Sequence, residues 1–208
     1  MKQMALDLRT WGGKRKDAGR QPKGRVALVS HDVRPELDGR TPVHVVLRVV
    51  DDVPSLRTRP VFEEICAAFK AGGERNGFRL THYAVLGNHL HLIVEAGSKK
   101  ELSRGMQALA IRIARAVNRV AERKGRVFAD HYFAHQLKTP TEVRHAIRYV
   151  LENRAIHDAR QGRPARPGVD RFSSAVEGAP VRPATFWLLT IGWRRARGVP
   201  RWDRRVPL

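Results

Sequence analysis

Two histidines separated by a single residue, His89 and His91, are the side chains whose type and spacing most directly suggest chemistry. They lie in Leu86-Gly87-Asn88-His89-Leu90-His91-Leu92-Ile93-Val94-Glu95, an aliphatic and β-branched run behind the turn-forming Gly87-Asn88, which predicts a strand. The two-residue period of a strand sends Asn88, Leu90, Leu92 and Val94 to one face and His89, His91, Ile93 and Glu95 to the other. Imidazoles side by side on one face can hold a divalent cation, because neutral imidazole is a common metal ligand. His-x-His is a short pattern, however, and suits two surface histidines on a half-buried strand equally well.

A second pair, Tyr149 and Asn153, stands four residues apart in a segment that predicts a helix. That helix opens at the capping box Thr139-Pro140-Thr141-Glu142, with proline in the first turn, and is expected to run to about Asp158. Spacing of four places both side chains on one helical face. Tyr149 falls away from the centre of the apolar stripe Val143, Ile147, Val150 and Leu151, so its phenol can point elsewhere than its own helix's core. Two imidazoles, a phenol and an amide oxygen make a plausible metal-assisted phosphoryl-transfer site. A phosphodiester's negative charge repels a nucleophile, and a cation held by His89 and His91 would offset the charge that develops on its oxygens. Two imidazoles leave the coordination sphere incomplete, and Asn153 is the candidate third protein ligand. Tyr149 is the candidate nucleophile: its phenol is weak at an ordinary pKa of about 10, but a nearby cation favours the phenolate. Attack by a tyrosine, unlike attack by water, stores the energy of the broken diester in a phosphotyrosine bond. Tyr83 and Tyr132 read as sheet packing, with Tyr132 the runner-up. His31, His82, His131, His135, His145 and His157 read as surface, sheet or DNA-contacting residues. His44 reads the same way but is set apart by its place on a central strand.

The elements that must position these groups follow from periodicity. Pro42 to Val50 predicts a strand with His44, Val46 and Arg48 on one face, and Pro60 to Gly72 a helix with an apolar stripe at Val61, Phe62, Ile65, Ala68 and Phe69. Phe78 to Leu86 predicts a second strand, in a hairpin with the histidine strand. Ser98-Lys99-Lys100-Glu101 reads as a capping box for a helix to about Lys124, before Gly125, and Val127 to Leu137 as a fourth strand. The order implies an α+β fold, a ferredoxin-like βαββαβ antiparallel sheet with helices on one face. The Tyr149 helix is an addition near the open face. Basic extensions flank this domain, so the chain divides into an arm over 1–40, a catalytic domain over 41–158 and an Arg-rich extension over 159–208.

Charge points to the partner. The 208 residues include 40 Lys and Arg against 20 Asp and Glu, a net charge of +20, with an isoelectric point near 11.4. Such a balance suits a polyanion, because cationic side chains release the counterions condensed on phosphates. An anionic membrane surface would compete, but no apolar run approaches the roughly 20 residues that span a bilayer, and no secretory leader is evident. Cys66 is the only cysteine, which excludes an internal disulfide and a cysteine-based zinc site. The expectation is a cytoplasmic, nucleoid-associated protein. In the N-terminal arm, Lys14, Arg15, Arg20 and Arg25 are candidate DNA contacts, either entering a minor groove or acting as a solvated basic tail. Near the C-terminus the apolar island Phe186 to Trp193 should dock the extension and present Arg194, Arg195 and Arg197 to a phosphate backbone.

Asn88-His89-Leu90-His91 together with Tyr149-Val150-Leu151-Glu152-Asn153 resembles the single-tyrosine HUH transposases, nearest the REP-associated tyrosine transposase branch. The resemblance covers roughly Pro42 to Asp158, and the Trp11 to Pro22 and Trp187 to Arg195 segments look like stretches that accompany it. It implies cleavage and rejoining of single-stranded DNA near hairpins through a 5′-phosphotyrosine, with Mg²⁺ or Mn²⁺. It maps the metal ligands onto His89, His91 and Asn153 and the nucleophile onto Tyr149. Monomers and homodimers both occur in the family, so the assembly stays open. Two other readings share the fold: a non-catalytic binder of hairpin or single-stranded nucleic acid, and an HUH replication initiator or relaxase. The absence of an RNP-like aromatic pair and of a helicase P-loop weighs against them.

Overall fold

The computed structural model of the chain describes residues 35–160 and 168–196, together with residues 162 and 164. Lys14, Arg15, Arg20, Arg25 and Arg197 lie outside the described residues. The β-branched run begins the sheet as β1 (Val43–Arg48), followed by α1 (Arg59–Gly72), a two-residue β2 (Glu74–Arg75), β3 (Phe78–Val85) and β4 (His89–Ala96). Then come α2 (Lys99–Val120), β5 (Phe133–Gln136), α3 (Pro140–Leu151), α4 (Asn153–Arg160) and α5 (Trp187–Thr190), which leads into a 3-10 turn at Gly192–Arg195. The strands form one sheet in the order β2-β3-β4-β1-β5, every pairing antiparallel. Setting aside the short β2, this is the ferredoxin-like order that the βαββαβ pattern implies.

Alternation along the two central strands builds a core on each face. Val43, Val45 and Leu47 of β1 and Leu90, Leu92 and Val94 of β4 pack under α1 and α2 with Ile65, Phe69, Met106, Leu109 and Ile113. Each fully buried aliphatic or aromatic side chain contributes about 1.5–3 kcal/mol. On the opposite face Ala84, Leu86, Ile93 and Leu137 meet Val143, Ala146, Ile147 and Val150 of α3, and Leu188 and Leu189 of α5 close the cluster from outside. The Tyr149 helix therefore lies on the face that α1 and α2 leave open, as its pattern predicts.

Four boundaries differ from the sequence expectation, each for a local reason. The helix α2 ends at Val120, not near Lys124. Glu122 adopts a left-handed φ of 49°, and the backbone N–H of Arg123 donates to the Asn118 carbonyl while that of Glu122 donates to Arg119. That is a Schellman stop with glutamate where glycine is usual. The expected strand Val127–Leu137 is interrupted. Phe128 bridges Val49, but the ladder of β5 resumes only at Phe133, with its register on β1 shifted by two residues. The final helix breaks at Glu152, whose side chain pairs with Arg148, so Tyr149 and Asn153 belong to α3 and α4 and do not share one continuous helical face. The extra strand β2 pairs with the start of β3 across a turn in which Asn76 and Gly77 both have positive φ.

Residues 168–196 are packed into the body. Arg57 grips Asp170 with two guanidinium bonds of 2.7 and 2.9 Å and lies 4.3 Å over the Phe172 ring. Backbone bonds from Val85 to Phe172, from Ser174 to Tyr83 and from Arg182 to Leu80 cover the outer edge of β3, which would otherwise offer unpaired groups for association.

Gly105, inside α2, marks a close helix-to-sheet approach: a Cβ there would sit 2.1 Å from the ring of Phe78, itself buried. Gly105→Ala would gain about 1 kcal/mol of helix propensity, but the overpacking opposes this by about 1–3 kcal/mol. A net loss of stability is expected in urea melts; an Ala variant more stable than wild type would show that the contact gives way freely.

Candidate active site

The site is built where β1 and β4 run side by side beneath α3. In their register Arg48 faces His89, Val46 faces His91 and His44 faces Ile93. His44 and His91 thus project to the same face as diagonal neighbours. The two-residue connection Gly87-Asn88 is held by three backbone bonds, from Leu86 to His89, from Val49 to Asn88 and from Leu56 to Gly87. The histidine strand consequently enters the sheet at a fixed height.

The imidazoles are linked edge to edge. His89 Nε2 lies 3.1 Å from His91 Nε2, His91 Nδ1 lies 3.1 Å from His44 Nε2, and His89 Nδ1 lies 2.7 Å from Asn88 Oδ1. The His44 and His91 rings are near-parallel, with planes 16° and centroids 5.3 Å apart, and both are buried. Burial, and to a smaller extent His135, push the His44 imidazole down to about 4. His44 is a functional candidate that the sequence marks only weakly. Its signal was its alternation with Val43 and Val45 on a strand next to the His-x-His strand.

Tyr149 meets this cluster from above. Its ring stands edge-on to His91, with centroids 5.1 Å apart and planes at 88°, and edge-on to His44 at 6.2 Å. All of these residues come from one chain. The competing tyrosines do not share the face. Tyr132 is part-buried against the core under α1 and α2. Tyr83 is 1% exposed, and burial, with Cys66 beside it, raises its phenol above the ordinary range.

Asn153 opens α4 one residue after the break at Glu152. It is 1% exposed, and among the described residues neither its Oδ1 nor its Nδ2 has a hydrogen-bond partner. An amide left in that state is anomalous among buried polar groups. Glu95 shares the strand face of the histidines but is engaged elsewhere. Its carboxylate accepts bonds from the Thr185 hydroxyl at 2.7 Å, the Thr185 N–H at 2.8 Å and the Phe186 N–H at 2.7 Å, anchoring the segment that leads into α5. Arg194 and Arg195 are exposed on the 3-10 turn, with the Arg194 guanidinium 5.5 Å from the Trp193 ring.

The donor set suits a hard or borderline divalent cation. Two ligands at adjacent corners of an octahedron with bonds of about 2.1 Å stand about 3.0 Å apart, close to the Nε2–Nε2 distance of 3.1 Å. The Asn153 carboxamide, which hydrogen-bonds to neither imidazole, carries an oxygen of the kind such an ion takes. Among the described residues no group of three or more His, Cys, Asp or Glu side chains is arranged to hold a metal ion.

A model of the family described as "Transposase IS200 like" matches residues 40–153. Among solved structures the chain is similar to a REP-associated tyrosine transposase bound to a REP hairpin, at 15% identity and a TM-score of 0.46, covering 75% of this chain and 99% of that one. A candidate transposase from Deinococcus radiodurans R1 matches at 15% identity and a TM-score of 0.40, covering 68% and 100% of the two chains. A bacterial tRNA(His) guanylyltransferase-like protein in complex with GTP matches at 12% identity and a TM-score of 0.40, over 62% and 71%. No curated protein matches the chain. No helix among the described residues is long and apolar enough to cross a membrane.

An unpaired buried amide costs about 1–3 kcal/mol. Asn153→Leu should therefore unfold no more readily than wild type in chelator, and up to about 1 kcal/mol less readily. The same change should shrink the rise in melting temperature that Mn²⁺ gives wild type. A variant that is destabilised in chelator yet keeps the full Mn²⁺ response would remove Asn153 from the ligand set.

Proposed function

The chain belongs to the IS200-like transposase family, and from that premise we infer that it cuts and rejoins single-stranded DNA through a covalent bond to Tyr149. The observation that carries the reading is the Tyr149 ring lying edge-on to His91, 5.1 Å away, within one chain. His89, His91 and Asn153 would hold Mg²⁺ or Mn²⁺. When bound, the ion would draw charge from a non-bridging phosphate oxygen and so lower the barrier to in-line attack.

The chain's own residues do the rest. Tyr149 Oη forms a bond to phosphorus, the bond to the 3′-oxygen breaks, the phenolic proton is lost, and the leaving oxygen is protonated as a 3′-hydroxyl. The product is a 5′-phosphotyrosine. Because the diester is exchanged and not hydrolysed, a different 3′-hydroxyl can reverse the step and join a new strand. The packing of Val143, Ala146, Ile147 and Val150 against the sheet restrains the phenol over the imidazoles, and such preorganisation is worth several kcal/mol of barrier.

The proposed substrate is single-stranded DNA flanking a hairpin, the class implied by the resemblance of the Asn88–His91 and Tyr149–Asn153 segments to REP-associated transposases. Arg194 and Arg195, exposed beside α5, and Lys14, Arg15, Arg20, Arg25 and Arg197 would supply phosphate contacts. One protomer supplies both the imidazole pair and Tyr149, so this reading needs no second copy to complete that part of the site.

Incubation with Mn²⁺ and a hairpin oligonucleotide with labelled single-stranded flanks should give a covalent protein–DNA band with wild type. Tyr149→Phe should give none, and Tyr132→Phe should match wild type. A band that survives Tyr149→Phe and disappears with Tyr132→Phe would reverse the assignment. Hairpin binding without cleavage over a broad panel of flanks would favour the non-catalytic reading. Deleting residues 1–25 should weaken binding and flatten its salt dependence while sparing the cleavage step; equal salt slopes would exclude phosphate contacts by the arm.

A further inference from the structure

His44 has no part in the proposed chemistry, yet it is buried and sits against the inner nitrogen of His91. We propose that His44 is a positioning residue, which fixes the tautomer and ring orientation in which His91 presents Nε2 to the cation. The inference rests on the metal reading above and follows from the sites of protons on three rings. An imidazole nitrogen that ligates a cation carries no proton, so a neutral ligating ring bears its proton on the other nitrogen. If His89 and His91 both ligate through the Nε2 atoms that face each other, both are protonated at Nδ1. His89 Nδ1–H then donates to Asn88 Oδ1 at 2.7 Å. His91 Nδ1–H must donate as well, and the atom facing it is His44 Nε2 at 3.1 Å.

The geometry assigns His44 to this role and not to that of a third ligand. The two nitrogens of an imidazole point to opposite sides of the ring, so an atom bonded at His91 Nδ1 lies behind His91 as seen from the cation. The near-coplanar approach of the two rings, with centroids 5.3 Å apart and planes 16° apart, and the diagonal strand register hold His44 there. Its carrier, β1, is bonded on both sides, to β4 and β5. Asn88 and His44 thus support the two ligands in parallel, one from the hairpin turn and one from the neighbouring strand. Loss of such outer support weakens metal binding by about 10–100-fold in comparable sites.

The test compares wild type with His44→Leu, which fills the space without accepting a hydrogen bond, and His44→Gln, whose amide oxygen can reach the former Nε2 position. Mn²⁺ affinity is read by titration calorimetry without DNA, and the His91 tautomer by ¹⁵N-correlated NMR of Mg²⁺-saturated protein, with melting temperatures recorded for all three. The Leu variant should fold, bind Mn²⁺ about 10–100-fold more weakly and lose the single Nδ1–H signature of His91. The Gln variant should recover most of both. If the Leu variant does not fold, the Gln variant decides: near-wild-type affinity with an Nδ1–H His91 supports the role, and an affinity as weak as that of His91→Ala overturns it. A folded Leu variant within twofold of wild type in affinity overturns the positioning role alone. Failure of wild type to bind Mn²⁺ at all overturns the metal reading and the role together.

Discussion

The register between β1 and β4 is the constraint on which the rest of the molecule depends. Both faces of β4 are covered, so its two-residue alternation divides sharply: Leu90, Leu92 and Val94 enter the core beneath α1 and α2, while His91 and Ile93 face α3. A slip of one residue would drive two imidazoles into an aliphatic core and turn three aliphatic side chains toward the site. The desolvation cost of that exchange fixes the strand in one position. The site inherits the precision of the core because it is the other side of the same strands.

From that base the remaining parts are held at graded distances. Tyr149 is set by α3, which is clamped between Ile93 on the sheet and Leu188 and Leu189 of α5. The outer clamp is in turn tied to β4 by Glu95, whose buried carboxylate satisfies the backbone N–H groups of Thr185 and Phe186. The Glu95 carboxylate lies on the histidine face, with its oxygens engaged by Thr185 and Phe186. The same strand therefore carries both the imidazole pair and the anchor of the segment that secures the tyrosine helix. The proposed ligand shell has two imidazoles and a neutral amide, with little negative charge, which leaves the electrostatics of the site open to a phosphate.

Much of this was legible in the sequence because it depends on short periodicities. The two faces of the histidine strand, the stripe of α3 and its Thr139–Glu142 capping box, in which Thr139 Oγ1 accepts from Glu142 N–H at 3.2 Å, follow from residues close together in the chain. So does the ferredoxin-like order, since strand and helix alternate with clear stops. What stayed hidden depends on contacts between distant segments or on backbone states that L-residues rarely adopt. Glu122 in the left-handed region follows the end of α2 at Val120, ahead of Gly125, the residue that composition marks as the stop. The break at Glu152 separates Tyr149 from Asn153 although nothing in local composition marks it. The pairing of His44 with His91 spans 47 positions and becomes visible only once β1 is known to lie against β4. The docking of the Phe186–Trp193 island was foreseen from its apolarity, but its anchor on Glu95 was not.

Anomalous diffraction from crystals of the chain grown with Mn²⁺ tests most directly the proposal that imidazoles from β4 and an amide from α4 converge on one cation beneath the tyrosine. The predicted result is a single strong peak bonded to His89 Nε2 and His91 Nε2, with Asn153 Oδ1 as a further ligand and Tyr149 Oη facing it. A peak elsewhere, or none, with the two imidazoles still bonded to each other and Asn153 still unpartnered, would contradict it.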